Sequence, residues 1–442
     1  MSVRREAPER RWEVVHLDLS EGAPALPRQG DAGGLYLVFW WRGLPLGQRD
    51  VPAEALPMTA ARVAAMAAEA VAPAVADRLG PWPVGEAGLA DLRGLEALDA
   101  LGAVCPEREG EAVGVSVVVC TRDRPEPLAA CLRALSRQTR PPREVVVVDN
   151  APASALTRRC VDGFPGVRYV AEPRRGLSAA RNAGVRASTG DVVAFTDDDV
   201  EAHPDWLARL AGAFADPAVD AVTGLVLPAE LETGAQRLFQ RGASGFGWGF
   251  RRRRFDAAFF EATRRRGAPT WRIGAGANMA FRRRALERLG GFDERLGAGA
   301  AGCSEDSELW YRLLAEGGAC LYEPAAVVFH HHRREPEALR RQMRAYMRGH
   351  TSALFAQFGR YRHGGNLYRA FVALPAYYAR GLARRLAGRP AARDATWPAE
   401  VSGYLAGLLT GWRYLPPRAY DVSACEARGA SVRAAEGPPA TP

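Results

Sequence analysis

The feature that most constrains this chain is a fourfold alternation of short strand-like runs, continuous and apolar in three of the four, with helix-like segments between Val115 and Ala215. The runs are Ser116–Cys120, Val145–Val148, Val167–Val170 and Val192–Phe195. The helical segments between and after them are Pro127–Gln138, Leu156–Asp162, Leu177–Ala187 and Pro204–Ala215. A strand that shows one face to water alternates apolar and polar residues, whereas a strand buried on both faces is apolar throughout. Four such strands separated by helices predict a parallel sheet with helices covering both faces.

The rest of the chain divides around this core. Residues 1–110 read as a small α+β module: strands at Trp12–Leu17 and Leu35–Trp41, a turn at Arg42–Gly47 leading into a further short strand, then a helix over Met58–Leu79. The charged stretch Pro106–Glu111 marks a linker, and no chemistry is legible in this module. Residues 111–335 form the main domain, 336–423 a helical, arginine-rich region, and 424–442 a tail expected to be disordered. A chain of 442 residues exceeds one ordinary core, and 48% apolar residues suffice to pack several.

All 59 basic residues are arginines, and the net charge of +9 favours anionic partners such as phosphorylated small molecules or an acidic membrane surface. Seven cysteines without a CxxC pair argue against a disulfide framework or a zinc site and fit a reducing compartment. The start of the chain lacks the apolar core of a signal peptide, and no run is long enough to span a bilayer. The expected location is cytoplasmic, with peripheral contact at the inner membrane face left open by the arginine-rich helices around Leu339–Arg348 and Phe371–Leu386.

The informative residues stand where the strands stop. The first run ends in Thr121-Arg122, the second in Asp149-Asn150, and the fourth in Thr196-Asp197-Asp198-Asp199. Ligands of open α/β sheets bind outside the carboxyl ends of the strands, so these groups are expected to line one crevice. Three successive aspartates repel one another unless a cation neutralises them, and hard oxygen donors suit Mg²⁺ or Mn²⁺. Alternation along an extended run puts Asp197 and Asp199 on one side and Asp198 on the other.

A second acidic site follows in Cys303–Leu314, where Ser304 is a candidate N-cap with Glu305 and Asp306 in the first turn. Asp306, Leu309, Trp310 and Leu313 share the inward stripe of that helix. Glu305, Glu308 and Arg312 fall on another face, with Glu308 and Arg312 paired at i, i+4. Further on, a strand ends in His330-His331-His332, and alternation puts His330 and His332 on one side. His330 could supply a nitrogen ligand to a site with two aspartates. The segment Gly242–Asp256 mixes glycines, aromatics and four arginines, either as a solvated loop or as one that closes over substrate with Trp248 stacked on a sugar.

Together, SVVVCTRDRP, VVVVDN, RGLSAARNAG and VVAFTDDDV resemble the nucleotide-sugar half of family 2 glycosyltransferases. GAGANMAFRRRALERLGGFDERLG, SEDSELWYRL and the terminal histidine resemble their acceptor half. The resemblance covers about Val115–His332 and implies a GT-A fold, a Rossmann-like mixed sheet, with an inverting mechanism and a divalent cation, Mn²⁺ or Mg²⁺. It implies that Thr121, Arg122 and Asp149 hold the nucleoside and that Arg181 and Asn182 lie beside the nucleotide. Asp197, Asp198 and Asp199 match the DxD-type motif, with Asp197, Asp199 and His330 at the metal and Asp198 toward the ribose. Asp306 matches the catalytic base, and Gly276, Asn278 and Glu305 fall among acceptor or phosphate contacts. One departure is Pro152, which stands where serine is commoner after VDNA.

The expected partners are a UDP-, GDP- or dTDP-linked sugar and a glycan, lipid-linked or small-molecule acceptor of the kind used in cell-surface polysaccharide synthesis, and nucleic acid is not expected. A sugar nucleotidyltransferase and a non-catalytic nucleotide-sugar or nucleic-acid-binding protein are the competing readings. Converging carboxylates count against the nucleic-acid reading.

Overall fold

The structure is a computed structural model that describes residues 10–28, 30–79, 113–241, 248–389 and 392–416. The tail from 424, the linker over 106–111 and part of the Gly242–Asp256 segment therefore lie outside the described residues.

The N-terminal module contains strands β1 (Trp12–Asp18), β2 (Gly34–Trp41) and β3 (Leu44–Pro52), followed by helix α1 (Ala60–Leu79). β1 runs parallel to β2, and β2 pairs antiparallel with β3. Helix α1 lies so close to β3 that a Cβ at Gly47 would stand 2.5 Å from the carbonyl oxygen of Ala70. The expected strands and helix are present, but the module is not an independent satellite. Trp12, Tyr36, Val38 and Trp40 share a buried cluster with Leu225, Leu227, Leu231 and Val327 of the main domain. A buried ion pair, Arg78 to Glu323 at 3.2 Å, ties α1 to the main sheet as well.

The main domain is built on a nine-stranded sheet. It comprises β4 (Val115–Thr121), β5 (Glu144–Asn150), β6 (Val167–Glu172), β7 (Val192–Asp197), β8 (Val200–Ala202), β9 (Ala221–Pro228), β10 (Arg253–Phe255), β11 (Met279–Arg282) and β12 (Cys320–His330). Along the sheet the order is β10-β12-β9-β11-β7-β4-β5-β6, with β8 paired to β12. The four strands read from the apolar runs are parallel to their neighbours, β7-β4-β5-β6. β11 joins antiparallel to both β7 and β9, which makes the whole sheet mixed.

Crossover helices α2 (Pro125–Leu135), α3 (Leu156–Asp162), α4 (Leu177–Ala187) and α5 (Trp206–Ala213) cover the parallel part. The first is shifted two residues toward the N-terminus of its expected range, because Pro125 rather than Pro127 opens it. α4 packs without clearance on β4: a Cβ at Gly184 would stand 2.3 Å from Val118. This fixes the height at which Arg181, on the same helix, enters the crevice.

Next come α6 (Gly234–Arg241), α7 (Ala257–Thr263), α8 (Arg283–Leu289) and α9 (Glu305–Ala315). The C-terminal region adds α10 (Pro336–Tyr361), α11 (Gly364–Tyr368), a π-helical turn over Arg369–Ala373, α12 (Leu374–Leu386) and α13 (Trp397–Gly411). No helix among the described residues is long and apolar enough to cross a membrane.

α9 departs from its expected amphipathic character. Arg312, Glu308 and Glu305 are all buried, because the segment 289–297 and Arg181 close over that face. Arg312 meets Glu308 at 2.8 Å and also donates to the carbonyls of Leu289 and Gly291, so the predicted i, i+4 pair forms inside the protein. Ser304 does occupy the N-cap position, but it adopts a left-handed conformation (φ 71°) and its side chain makes no capping hydrogen bond.

Candidate functional site

A cavity of about 1340 Å³ opens at the carboxyl ends of β4 and β7 and is closed on the far side by α10 and α12. Thr121, Arg122, Arg181, Asp197, Asp198, Asp199, Gly276, Glu305, Asp306 and His330 all line it. The sheet brings the strand-end residues together, while the turn into α9 carries Glu305 and Asp306 across to face them.

The acidic run divides three ways. Asp197 faces Arg181 at 3.3 Å and keeps about a third of its side chain (32%) exposed to the cavity. Asp198 turns to the other side, accepting from the Thr121 hydroxyl at 2.7 Å and from Arg124 at 2.6 Å. Burial pushes its carboxyl up to about 7, despite Arg124 and Thr121. Asp199 points to His330, whose Nε2 lies 3.5 Å from Oδ1, while Arg124 and Arg333 reach Oδ2 at 3.1 and 3.5 Å. Burial works against its ionised form, but the neighbouring cations outweigh burial and hold the carboxyl below its ordinary value.

The state of His330 follows from a hydrogen-bond chain that begins in the N-terminal module. Tyr36 donates its hydroxyl to Gln48 and accepts from Gln240 Nε2 at 3.1 Å. Gln240 Oε1 must then accept from His332 Nε2–H, 3.0 Å away. That leaves His332 Nδ1 as an acceptor for His330 Nδ1–H at 2.8 Å. The Nε2 of His330 therefore carries a lone pair on the side of Asp199. Burial, the largest influence, lowers both histidines, with His332 falling to about 3, so both rings are neutral.

Two acceptors facing each other at 3.5 Å, a carboxylate oxygen and an imidazole lone pair, are the donor set that a divalent cation needs. No group of three or more His, Cys, Asp or Glu side chains among the described residues has a geometry that could hold a metal ion. A cation bound through Asp199 and His330 would thus depend on substrate phosphate and water for its remaining ligands, as Mg²⁺ commonly does.

At the other end of the crevice, Arg181 is enclosed. It donates to Glu305 at 2.6 Å, approaches Asp197 and the Gly276 carbonyl at 3.3 Å each, and lies 5.5 Å from the centroid of the Phe292 ring. Burial raises the Glu305 carboxyl more than Arg181 lowers it. Asp306 is oriented by Gly276 N–H on Oδ2 (2.9 Å) and by Ser307 on Oδ1 (2.6 Å from N–H, 3.1 Å from the hydroxyl). Oδ1 takes both of the Ser307 hydrogen bonds, whereas Oδ2 accepts only one and keeps a lone pair, so Asp306 can still accept a proton from a group in the cavity.

Four expected contacts lie elsewhere. Asp149 is fully buried behind β5, accepting from Tyr169 at 3.0 Å, and its neighbour Asn150 faces the cavity in its place. Asn182 is turned away and clamps the Phe292 backbone through both N–H and carbonyl. Asn278 is fully buried, bonded to Trp206 and to the carbonyls of Leu225 and Ala326, so it fixes β11 against β9 and β12. Trp248 packs among the core aromatics beside Phe255, with Arg272 over its ring, and does not reach the cavity. Conversely, Arg124 and Arg333 were not legible beforehand as site residues. Each stands close in sequence to a strand-end motif, but arginine is too common here for position alone to single them out.

A mixed α/β sheet whose parallel strands deliver acids to one edge, met there by an acidic helix start and a histidine, defines a GT-A-type protein. The chain belongs to glycosyl transferase family 2, whose sequence profile matches residues 116–290. It is 32% identical over 231 residues to the succinoglycan biosynthesis protein ExoM of Rhizobium meliloti (strain 1021), spanning 49% of this chain and 67% of that one. The pre-mycofactocin glycosyltransferase of Mycobacterium tuberculosis is 30% identical over 220 residues, half of this chain but only 43% of that protein's length. Among solved structures, the mannosyltransferase PcManGT from Pyrobaculum calidifontis, in complex with GDP-Man and Mn²⁺, is 21% identical at a TM-score of 0.44, covering 80% of this chain and 99% of the other.

Proposed function

We propose that the protein is an inverting glycosyltransferase that moves a sugar from a nucleoside-diphosphate sugar to an acceptor hydroxyl, in the synthesis of a surface glycan or glycoconjugate. The observation that supports this most is the convergence of two separated acidic sites, Asp197–Asp199 and Asp306, on one cavity. Thr121, Arg122 and Asn150 stand where the nucleoside would lie. Asp199 and His330 are the residues that would hold a divalent cation, with Asp197 beside them and engaged by Arg181. Bound there, such a cation would stabilise the charge on the leaving diphosphate.

Asp306 faces that group across the cavity and acts as general base, taking the acceptor hydroxyl proton as the oxygen attacks the anomeric carbon. Its orientation by Gly276 and Ser307 holds it ready, at no cost in reorganisation during the step. Arg181 neutralises Glu305 and Asp197, so that the base is not surrounded by unpaired carboxylates.

Asp306→Asn is expected to lower transfer by roughly 10²–10⁴-fold while nucleoside-diphosphate binding stays unchanged. Near-normal turnover by a folded variant would remove Asp306 from this role. The product also separates two enzyme classes: a transferase releases nucleoside diphosphate, a nucleotidyltransferase pyrophosphate.

A further inference from the structure

The cavity has two charge regimes. Near the acidic run Arg181 pairs with Glu305 and Asp197, and Arg124 with Asp198 and Asp199. On the far wall, made by α10, the π-helical turn and α12, Arg341, Arg369 and Arg380 also line the cavity. None of these three has a carboxylate at ion-pair distance among the described residues.

Arg369 is the most constrained of them. Its guanidinium lies over the Trp271 ring, 3.5 Å from the centroid. Its Nε donates to His350 Nε2 at 2.9 Å, and His350 in turn meets the edge of Trp271 with ring centroids 4.8 Å apart. These contacts hold the guanidinium plane and leave both terminal nitrogens without a protein acceptor among the described residues. Burial drives its pKa down to about 10, so it remains charged at neutral pH without a counter-ion. A half-buried cation fixed in this way lacks one partner, an anion, and a planar fork suits phosphate or carboxylate oxygens.

Helix α10 holds Arg369 at the cavity. Gln342, Tyr346 and His350 follow at four-residue spacing on its cavity face. His350 follows Tyr346 by one turn, about 6 Å along the axis, and holds Arg369. Beyond Arg369 the surface becomes apolar: Tyr368, Phe371 and Val372 are 43%, 56% and 48% exposed.

We propose that this wall is an anion subsite for the acceptor, in which Arg369, with Arg341 and Arg380 on the same wall, seats a phosphate ester within the cavity that Asp306 also lines. The word acceptor rests on the transferase reading above; the anion subsite stands on its own geometry. The phosphate belongs either to a lipid chain leaving across Phe371 and Val372 or to a soluble phosphosugar.

The test titrates hexyl phosphate and glucose 6-phosphate into the full chain by calorimetry, with a nucleoside diphosphate and Mn²⁺ present to fill the donor end. At least one probe is expected to bind, and Arg369→Met is expected to weaken it tenfold or more. Arg369→Lys should recover part of that loss by keeping the charge, and Arg380→Gln, at an exposed position that cannot disturb packing, should cost a few-fold. Tighter binding of hexyl phosphate assigns the site to a lipid-borne phosphate, and tighter binding of glucose 6-phosphate to a phosphosugar. The proposal is overturned if neither probe binds, if Arg369→Met binds as tightly as wild type, or if the nucleoside diphosphate displaces the probe. Failure of the nucleoside diphosphate itself to bind is a separate result: it counts against the transferase reading and leaves Arg369-dependent phosphate binding measurable alone.

Discussion

Replacing Arg181 by methionine probes the centre of the site. The guanidinium and the Glu305 carboxylate are 3% and 6% exposed, and they meet at 2.6 Å. Glu305 Oε2 has no hydrogen-bond partner even with Arg181 in place. Without the arginine, Glu305 becomes a buried, unpaired carboxylate beside Asp306, and Asp197 loses its nearest cation. Removing one partner of a buried pair costs about 3–5 kcal/mol. Methionine refills most of the volume against Phe292, which keeps the cavity contribution small.

The companion variant, Glu305→Gln, removes the charge that Arg181→Met strands. The double variant is therefore expected to be more stable than the sum of the singles by about 2–3 kcal/mol. Urea unfolding of the four proteins at pH 7.5, followed by far-ultraviolet circular dichroism, measures the cycle. An Arg181→Met cost under about 1 kcal/mol, against the 3–5 expected of a buried pair, or strictly additive effects, would show that the ion pair is not what holds this wall together.

Further expectations concern the histidines, the tyrosine relay and the glycine beside the base. His332 is neutral when folded, with its pKa pushed down to about 3, against an ordinary value of 6.5. Between those values the unfolded chain binds the extra proton, so stability contributed by this ring is complete above pH 6.5 and is lost as pH falls; at pH 5 the loss is about 2 kcal/mol. Comparing wild type with His332→Phe in urea at pH 7.5 and 5 isolates it, and an equal pH slope in both proteins would count against the assignment. Tyr36→Phe breaks the first link of the chain that sets the His330 tautomer, and is expected to weaken Mn²⁺ binding by about tenfold, read by electron paramagnetic resonance. At Gly276 an added Cβ would stand 2.7 Å from Arg181 and 3.2 Å from the Asp306 carboxylate. Gly276→Ala should therefore displace the base and cost about 10²-fold in transfer, with nucleoside-diphosphate affinity preserved; unchanged turnover would argue against a role for that contact.

The sequence carried much of this. Its uninterrupted apolar runs determined the parallel strands β4, β5 and β7, because only burial on both faces tolerates them, and their polar ends located one wall of the crevice, while β6 is a half-buried edge strand. Strand alternation also separated His330 and His332 from His331, which instead meets Glu201. What it could not carry depended on contacts between distant segments. Asn278 and Trp248 stand within or beside matching motifs, yet packing turned both into the core, since a motif fixes spacing along the chain and not direction in space. The burial of Glu308 and Arg312 was illegible for a similar reason: helical periodicity shows a polar face but not the segment 289–291 that covers it. The same holds for Arg124, Arg333 and Arg369, ordinary arginines among 59 basic residues until folding set the first two on Asp199 and left the third charged and without a carboxylate among the described residues. Local pattern thus determined the strands and where they end, while the partners of each charge were decided only by the tertiary structure, because electrostatic environment depends on what folding brings within a few ångströms and not on what lies beside it in the chain.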